Sequence, residues 1–382
     1  MYWIFVRSPW GRIKDKLNRN SFWYLNSRFY KLVGAETRAL NLLEALLKQV
    51  PKRVDLHLEA GKLYLHRGQL DRAAWHLSKA NYGIDTGNFI SWLEEATLND
   101  DKEVLGDRAK IFCALGDWYL QAGEPEKALT MYDRAMLAGR TVSISILNNR
   151  GLALMQLGRM REAKVHFEQA RAYGSNAELE FNSGLLYSKL GQHQEAVDCY
   201  ESAQRYGLNS VELLNNKGFS LFHLRRYEEA ILCYELARKL APTDSTVLAN
   251  LAACYEMTGQ YAKAVSVYYV ALKHAPNDAA LRNSLAVCLV RLEKFTDALQ
   301  HHDQALALAP QNAVYQANRA ICLGQLGNHE EATRIFQHLL AKDPGNTLLW
   351  GLYGDFLMQL QRMDEAADAY NLSLGLVDPG AA

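Results

Sequence analysis

Apolar residues recur along this chain at helical spacing in pairs of short segments. Within Ser245 to Asp278 the first half places Leu248, Leu251, Ala252 and Tyr255 on one face of a helix. The second half does the same with Ala264, Tyr268, Ala271 and Leu272. Gly259 stands between the halves and Pro276 follows the second, each where a helix stops. The predicted unit is a helical hairpin. Asp244 precedes it at the N-cap position, and Ser143, Asn176, Ser210, Asp278, Asn312 and Asn346 precede other segments in the same way.

A slide of 34 residues superposes units that begin at Ala177, Val211, Ser245, Ala279, Ala313 and Thr347. Less regular copies begin at Ile144, Ala109 and Val54. Near the start of the second helix every copy carries alanine: Ala73, Ala128, Ala163, Ala196, Ala230, Ala264, Ala298, Ala332 and Ala366. Mid-way along the first helix the residue is always small: Gly61, Gly116, Gly151, Gly184, Gly218, Ala252, Ala286, Ala320 or Gly354. These two columns are expected to face each other, small against small. Four residues after the alanine, Tyr132, Phe167, Tyr200, Tyr234, Tyr268 and Phe336 fill the remaining space. A single hairpin of this size buries too little apolar surface to stand alone, so the copies must stack into a solenoid.

A helix-turn-helix of this period, with these small, aromatic and terminal proline slots, resembles the tetratricopeptide repeat. The resemblance implies an all-α fold, a right-handed superhelical α-solenoid. It covers residues 54–380, with a weaker copy at 20–53 marked by Trp23, Ala39, Leu43 and Pro51, which brings the count to about ten. The expected layout is a basic aromatic arm (1–19), a degenerate first repeat (20–53), a repeat (54–87), a helical insertion (88–108) and eight consecutive repeats (109–380). The insertion should hold one extra helix around Ile90 to Leu98. Arg225, Glu293 and Gln361 stand where other copies have the turn glycine.

Charge narrows the class of partner. Lysine plus arginine and aspartate plus glutamate are 42 each, so the whole chain has no net field to concentrate a polyanion, and nucleic acid is not an expected partner. The charges are unevenly placed. Residues 1–34 hold seven basic residues against Asp15, which leaves about six net negatives for the array. With Trp3, Phe5, Trp10, Phe22, Trp23, Phe29 and Tyr30, that segment suits either a cap on the first hairpin or contact with an anionic membrane surface, and the cap is favoured. Met1 to Val6 is apolar but too short for a signal core or a membrane span, so a cytoplasmic protein is expected, peripheral at the inner membrane surface in the alternative. Six cysteines fall on repeat slots: Cys254, Cys288 and Cys322 lie 34 apart, as do Cys199 and Cys233, and they read as reduced packing residues.

No catalytic constellation stands out, and no enzyme, cofactor or metal is expected. His193 and His329 occupy the aromatic slot at the hairpin turn and His302 the ring slot of the second helix, so they read as substitutes for tyrosine. Neither a zinc-type spacing nor a phosphate-cradling glycine loop is present. The candidate function is protein binding by an adaptor or scaffold. The resemblance implies that first helices line a concave surface, and one slot there carries Asn149, Asn182, Asn216, Asn250 and Asn318. An amide both donates and accepts, so such a ladder could pair with an extended backbone. Helices ~10 Å apart match about three residues of strand at ~3.3 Å each. The same slot could equally serve hydrogen bonding between repeats. Leu152, Phe181, Leu185, Phe219, Phe222, Val287 and Ile321 should share or border that face. The Lys/Asn/Arg clamp by which members of the resembled family hold a carboxylate is missing: Asn215, Phe219, Ala249 and Ala253 stand near the ladder instead. Leu372, Leu374, Leu376 and Val377 on the last hairpin are a candidate surface for self-association.

Overall fold

The computed structural model describes residues 35–80, 89–98, 108–138 and 143–376, and every regular element among them is an α-helix. The arm at 1–19 and the start of the first repeat, up to residue 34, lie outside the described residues, as does the end from 377. The helices divide into two compact units, up to Ser175 and from Asn176. In unit 1, α1 (Glu36–Gln49) precedes the hairpin α2 (Val54–His66) and α3 (Leu70–Lys79). The insertion helix α4 (Phe89–Leu98) comes next, followed by α5 (Arg108–Gln121) with α6 (Pro125–Ala138) and α7 (Ile144–Gln156) with α8 (Met160–Ala172). Unit 2 holds six hairpins. They are α9 (Ala177–Lys189) with α10 (His193–Arg205), α11 (Val211–His223) with α12 (Tyr227–Leu240), and α13 (Ser245–Met257) with α14 (Tyr261–His274). Then come α15 (Ala279–Arg291) with α16 (Phe295–Leu308), α17 (Ala313–Gln325) with α18 (His329–Lys342), and α19 (Thr347–Gln359) with α20 (Met363–Ser373).

Helix starts follow the expected register. All seven N-cap residues named from the sequence accept a hydrogen bond from a first-turn amide: Ser143 from Ile146, Asn176 from Leu179, Ser210 from Leu213, Asp244 from Thr246 and Val247, Asp278 from Leu281, Asn312 from Tyr315 and Asn346 from Leu349. The first helices of unit 2 stop at residues of positive φ. Glycine takes this place at Gly191, Gly259 and Gly327, but Arg225, Glu293 and Gln361 adopt it too, at φ 60°, 60° and 58°. The closing bond from the next amide back to the helix holds them there: Arg226 to the Leu221 carbonyl, Lys294 to Leu289 and Arg362 to Leu357, at 2.9–3.0 Å.

The packing corrects one detail. Where the small residue of the first helix is glycine, its nearest neighbour is not the alanine of the second helix but the large residue four further on. A Cβ added to Gly116 would come within 2.5 Å of Tyr132, one on Gly151 within 2.5 Å of Phe167, and one on Gly184 within 2.5 Å of Tyr200. The glycine thus seats a large side chain against bare backbone, a ring in every glycine copy but that of Gly61, which meets Leu77. All nine alanines are fully buried, and they let the two backbones approach beside that ring. Across unit 2 each first helix also touches the next: α9 meets α11, α11 meets α13, α13 meets α15, α15 meets α17, and α17 meets α19. Each second helix packs mainly on the first helix of its own hairpin and on that of the next. First helices thus form a continuous inner layer in this unit, with the second helices outside.

Candidate functional site

The asparagine slot falls on that inner layer, two residues before the small residue of each first helix. Three of the five amides tie neighbouring first helices together. Asn250 Nδ2 donates to Asn215 Oδ1 at 2.9 Å and Asn318 Nδ2 to Asn283 Oδ1 at 3.2 Å. In unit 1, Asn149 Nδ2 donates to Asp117 Oδ1 at 2.7 Å, an oxygen that also takes the Tyr132 hydroxyl at 2.7 Å, while Asn149 Oδ1 accepts from Asn148 at 3.0 Å. Each donating amide has spent one N–H between repeats and keeps a second. Asn182 is buried and Asn216 half-buried, and the Asn216 side chain makes no hydrogen bond among the described residues. The sequence pattern missed these acceptors as partners of the ladder: Asn215 and Asn283 share the slot just before it, and Asp117 lies just after the small slot.

The apolar residues divide by exposure. Phe181, Phe222 and Ile321 are half-buried and lean on the cores of unit 2, so much of their surface is already used. Leu152, Leu185 and Val287 are half-buried. Phe219 differs: 42% of its surface is open, and it stands at the centre of an aromatic group. His223, one turn later on α11, meets it edge-on at 4.4 Å between ring centres. His193, at the start of α10, stacks on His223 at 4.6 Å with the planes 7° apart, and meets Phe219 at 6.1 Å. Phe222 continues the group to Tyr227 at 5.3 Å. Burial, and then the neighbouring His223, lower the pKa of His193. The resulting platform spans the junction of two hairpins, with the unpaired Asn216 amide one turn before Phe219 on the same helix. His193 follows from its turn slot, but nothing in the local sequence links it to His223, thirty residues away.

Other chemistry-bearing residues have structural surroundings. His302 is fully buried in the ring slot of α16, and burial lowers its pKa to about 4. Cys254, Cys288 and Cys322 are completely enclosed, all six cysteines are free thiols, and burial raises Cys254 to about 12, far from a reactive thiolate. No group of three or more metal-ligating side chains occurs among the described residues, and none of their helices is long and apolar enough to cross a membrane.

Stacked hairpins with an inner layer of first helices define a helical repeat array. Tetratricopeptide repeat profiles match residues 37–81, 114–143, 148–207, 181–245, 289–352 and 323–374, and a profile of the Psidin N-terminal TPR repeats region matches 215–298. The chain belongs to the tetratricopeptide repeat family. No curated protein sequence matches it. Similar solved structures include YrrB, a TPR protein with an unusual peptide-binding site, at 20% identity, with 48% of this chain and 95% of that one covered and a TM-score of 0.45. The C-terminal part of a TPR repeat-containing protein from Cytophaga hutchinsonii is 19% identical over 61% of this chain and 96% of that one, with a TM-score of 0.49. PilF from Pseudomonas aeruginosa is 22% identical over 56% of this chain and 97% of that one, with a TM-score of 0.47. Repeat arrays of this family are in general protein-interaction scaffolds, and this chain falls in that class.

Proposed function

We propose that this protein is an adaptor whose second unit holds an extended or helical segment of a partner protein along its inner layer, with the Phe219 platform as anchor. The observation that carries the reading is the exposed Phe219, set edge-on against two stacked imidazoles and flanked on both sides by half-buried apolar residues and amides. An exposed aromatic residue held rigid by its neighbours loses little entropy when a ligand covers it, which is what makes such residues binding anchors. Asn216 is available to a partner backbone. Asn182, Asn250 and Asn318 extend the row in this reading, and Phe181, Leu185, Phe222, Val287 and Ile321 line it. Asn149 would serve the equivalent row of unit 1.

The test is selection of binding peptides from a random displayed library on the full chain, then measurement of the selected peptide on Phe219→Ala/Asn216→Ala. The partner surface is the Phe219 row if that variant keeps its melting temperature and binds about tenfold less tightly, the loss expected for an anchor worth about 1.4 kcal/mol. Equal binding would place recognition elsewhere on the chain.

A further inference from the structure

Unit 1 carries a cleft that the groove reading leaves unused. It has a volume of about 560 Å³ and is lined by Glu44, Leu47 and Lys48 of α1, Pro51 and Lys52 of the loop after it, His57 of α2, and Trp75 and Lys79 of α3. Its floor is a built network. His57 and His76 are buried side by side with Nδ1 atoms 3.1 Å apart. His57 Nε2 lies 3.1 Å from the Pro51 carbonyl, which can only accept. His76 Nε2 lies 3.1 Å from Glu44 Oε1, which also takes the Tyr64 hydroxyl at 2.9 Å. The carboxylate is therefore committed to the floor.

The wall is Trp75. Its indole is 51% exposed, yet it is fixed from behind, edge-on to His57 at 5.4 Å and to His76 at 4.8 Å. The rim is positive. Among the described residues Lys48, Lys52 and Lys79 line the cleft with one carboxylate, the already engaged Glu44, and none of the three has a carboxylate partner among them. Lys48 stands in the last turn of α1 and offsets the helix dipole there. Lys52 and Lys79 remain to act on a ligand. A rigid aromatic wall beside uncompensated ammonium groups favours a ligand that combines an apolar or aromatic body with negative charge. The cleft has room for roughly two or three side chains of that kind.

We infer that this cleft is a second binding site, outside the groove, for an acidic peptide segment that carries an aromatic residue: the ring lies on Trp75 and the flanking carboxylates meet Lys52 and Lys79. An acidic peptide suits a protein-interaction scaffold, and no part of the groove argument is needed for it.

The experiment is fluorescence anisotropy of the full chain with fluorescein-Gly-Glu-Asp-Phe-Glu-Glu, beside the same peptide with Lys for each acid and with Ala for Phe. The acidic aromatic peptide is expected to bind, less tightly as salt is raised. Lys52→Glu/Lys79→Glu should cost about tenfold or more, whereas Lys52→Arg/Lys79→Arg should retain binding. Trp75→Ala should weaken the Phe peptide about tenfold and leave the Ala peptide unchanged, a readout that loss of folding would not give. Phe219→Ala/Asn216→Ala should leave all of these affinities as they are, which keeps this site distinct from the groove. Equal affinity for the charge-reversed variant would overturn the inference. So would displacement by inorganic phosphate at the peptide's own concentration, or preference of the same lysines for a single-stranded oligonucleotide or an anionic vesicle.

Discussion

His302 sits where other hairpins place tyrosine or phenylalanine, and neither of its ring nitrogens finds a hydrogen-bond partner among the described residues. Two unsatisfied polar atoms in a closed slot cost stability that a ring without them would not. His302→Phe should therefore raise the melting temperature, by an amount corresponding to about 1–3 kcal/mol. The pH dependence has a definite sign. The unfolded chain protonates this histidine near 6.5, while the folded chain resists until about 4. Stability due to this group is complete above 6.5 and is lost as pH falls toward 4, at most about 3 kcal/mol. Thermal melts between pH 7.5 and 4.5 should show that loss in the wild-type chain and a smaller one in His302→Phe; parallel curves would contradict it. Glu293 gives the second residue-scale test. Its left-handed backbone costs a side-chain residue roughly 1–2 kcal/mol, part of which glycine returns as chain entropy, so Glu293→Gly should stabilise by about 0.5–1 kcal/mol in a denaturant titration.

A hairpin is held by a ring seated on bare backbone between two fully buried small residues. Gly184→Ala pushes a methyl into Tyr200, and Ala264→Leu overfills the contact of α14 with its hairpin; each should cost about 1–3 kcal/mol by thermal or chemical denaturation. An unchanged melting curve for either would mean that the register is wrong. The elements were legible in the sequence because local rules act strongly on them: the caps, the turn residues and the 34-residue columns located helix starts at Val54, Ile144, Ala177, Val211, Ser245, Ala279, Ala313 and Thr347. α5 begins at Arg108, one residue ahead of the expected Ala109. Which column faces which was not legible. A repeat shows that a slot is small or large, but pairing of slots depends on how the two helices are rotated, and period alone does not carry that rotation. The candidate site was legible to a similar depth. The asparagine slot and Phe219 could be found by spacing, while Asn215, Asn283 and His223 join the site through contacts between repeats or across thirty residues of chain.

For the molecule as a whole, the proposed binding surfaces are ones that stacking creates and that no single hairpin owns. The Phe219 platform needs α10, α11 and α12 together; the unit 1 cleft needs α1, α2 and α3. Both should be sensitive to the loss of a neighbouring repeat in a way that a conventional active site is not, because each repeat is supported only by those beside it. The central claim is that the inner layer of unit 2 recognises a partner segment through Phe219 and the amides around it. The most direct measurement is calorimetric titration of the display-selected peptide into the wild-type chain, Phe219→Ala/Asn216→Ala, and Lys52→Glu/Lys79→Glu at one salt concentration. Affinity about tenfold weaker in the first variant alone is the predicted result; undiminished affinity in that variant, with its fold intact, would contradict the account.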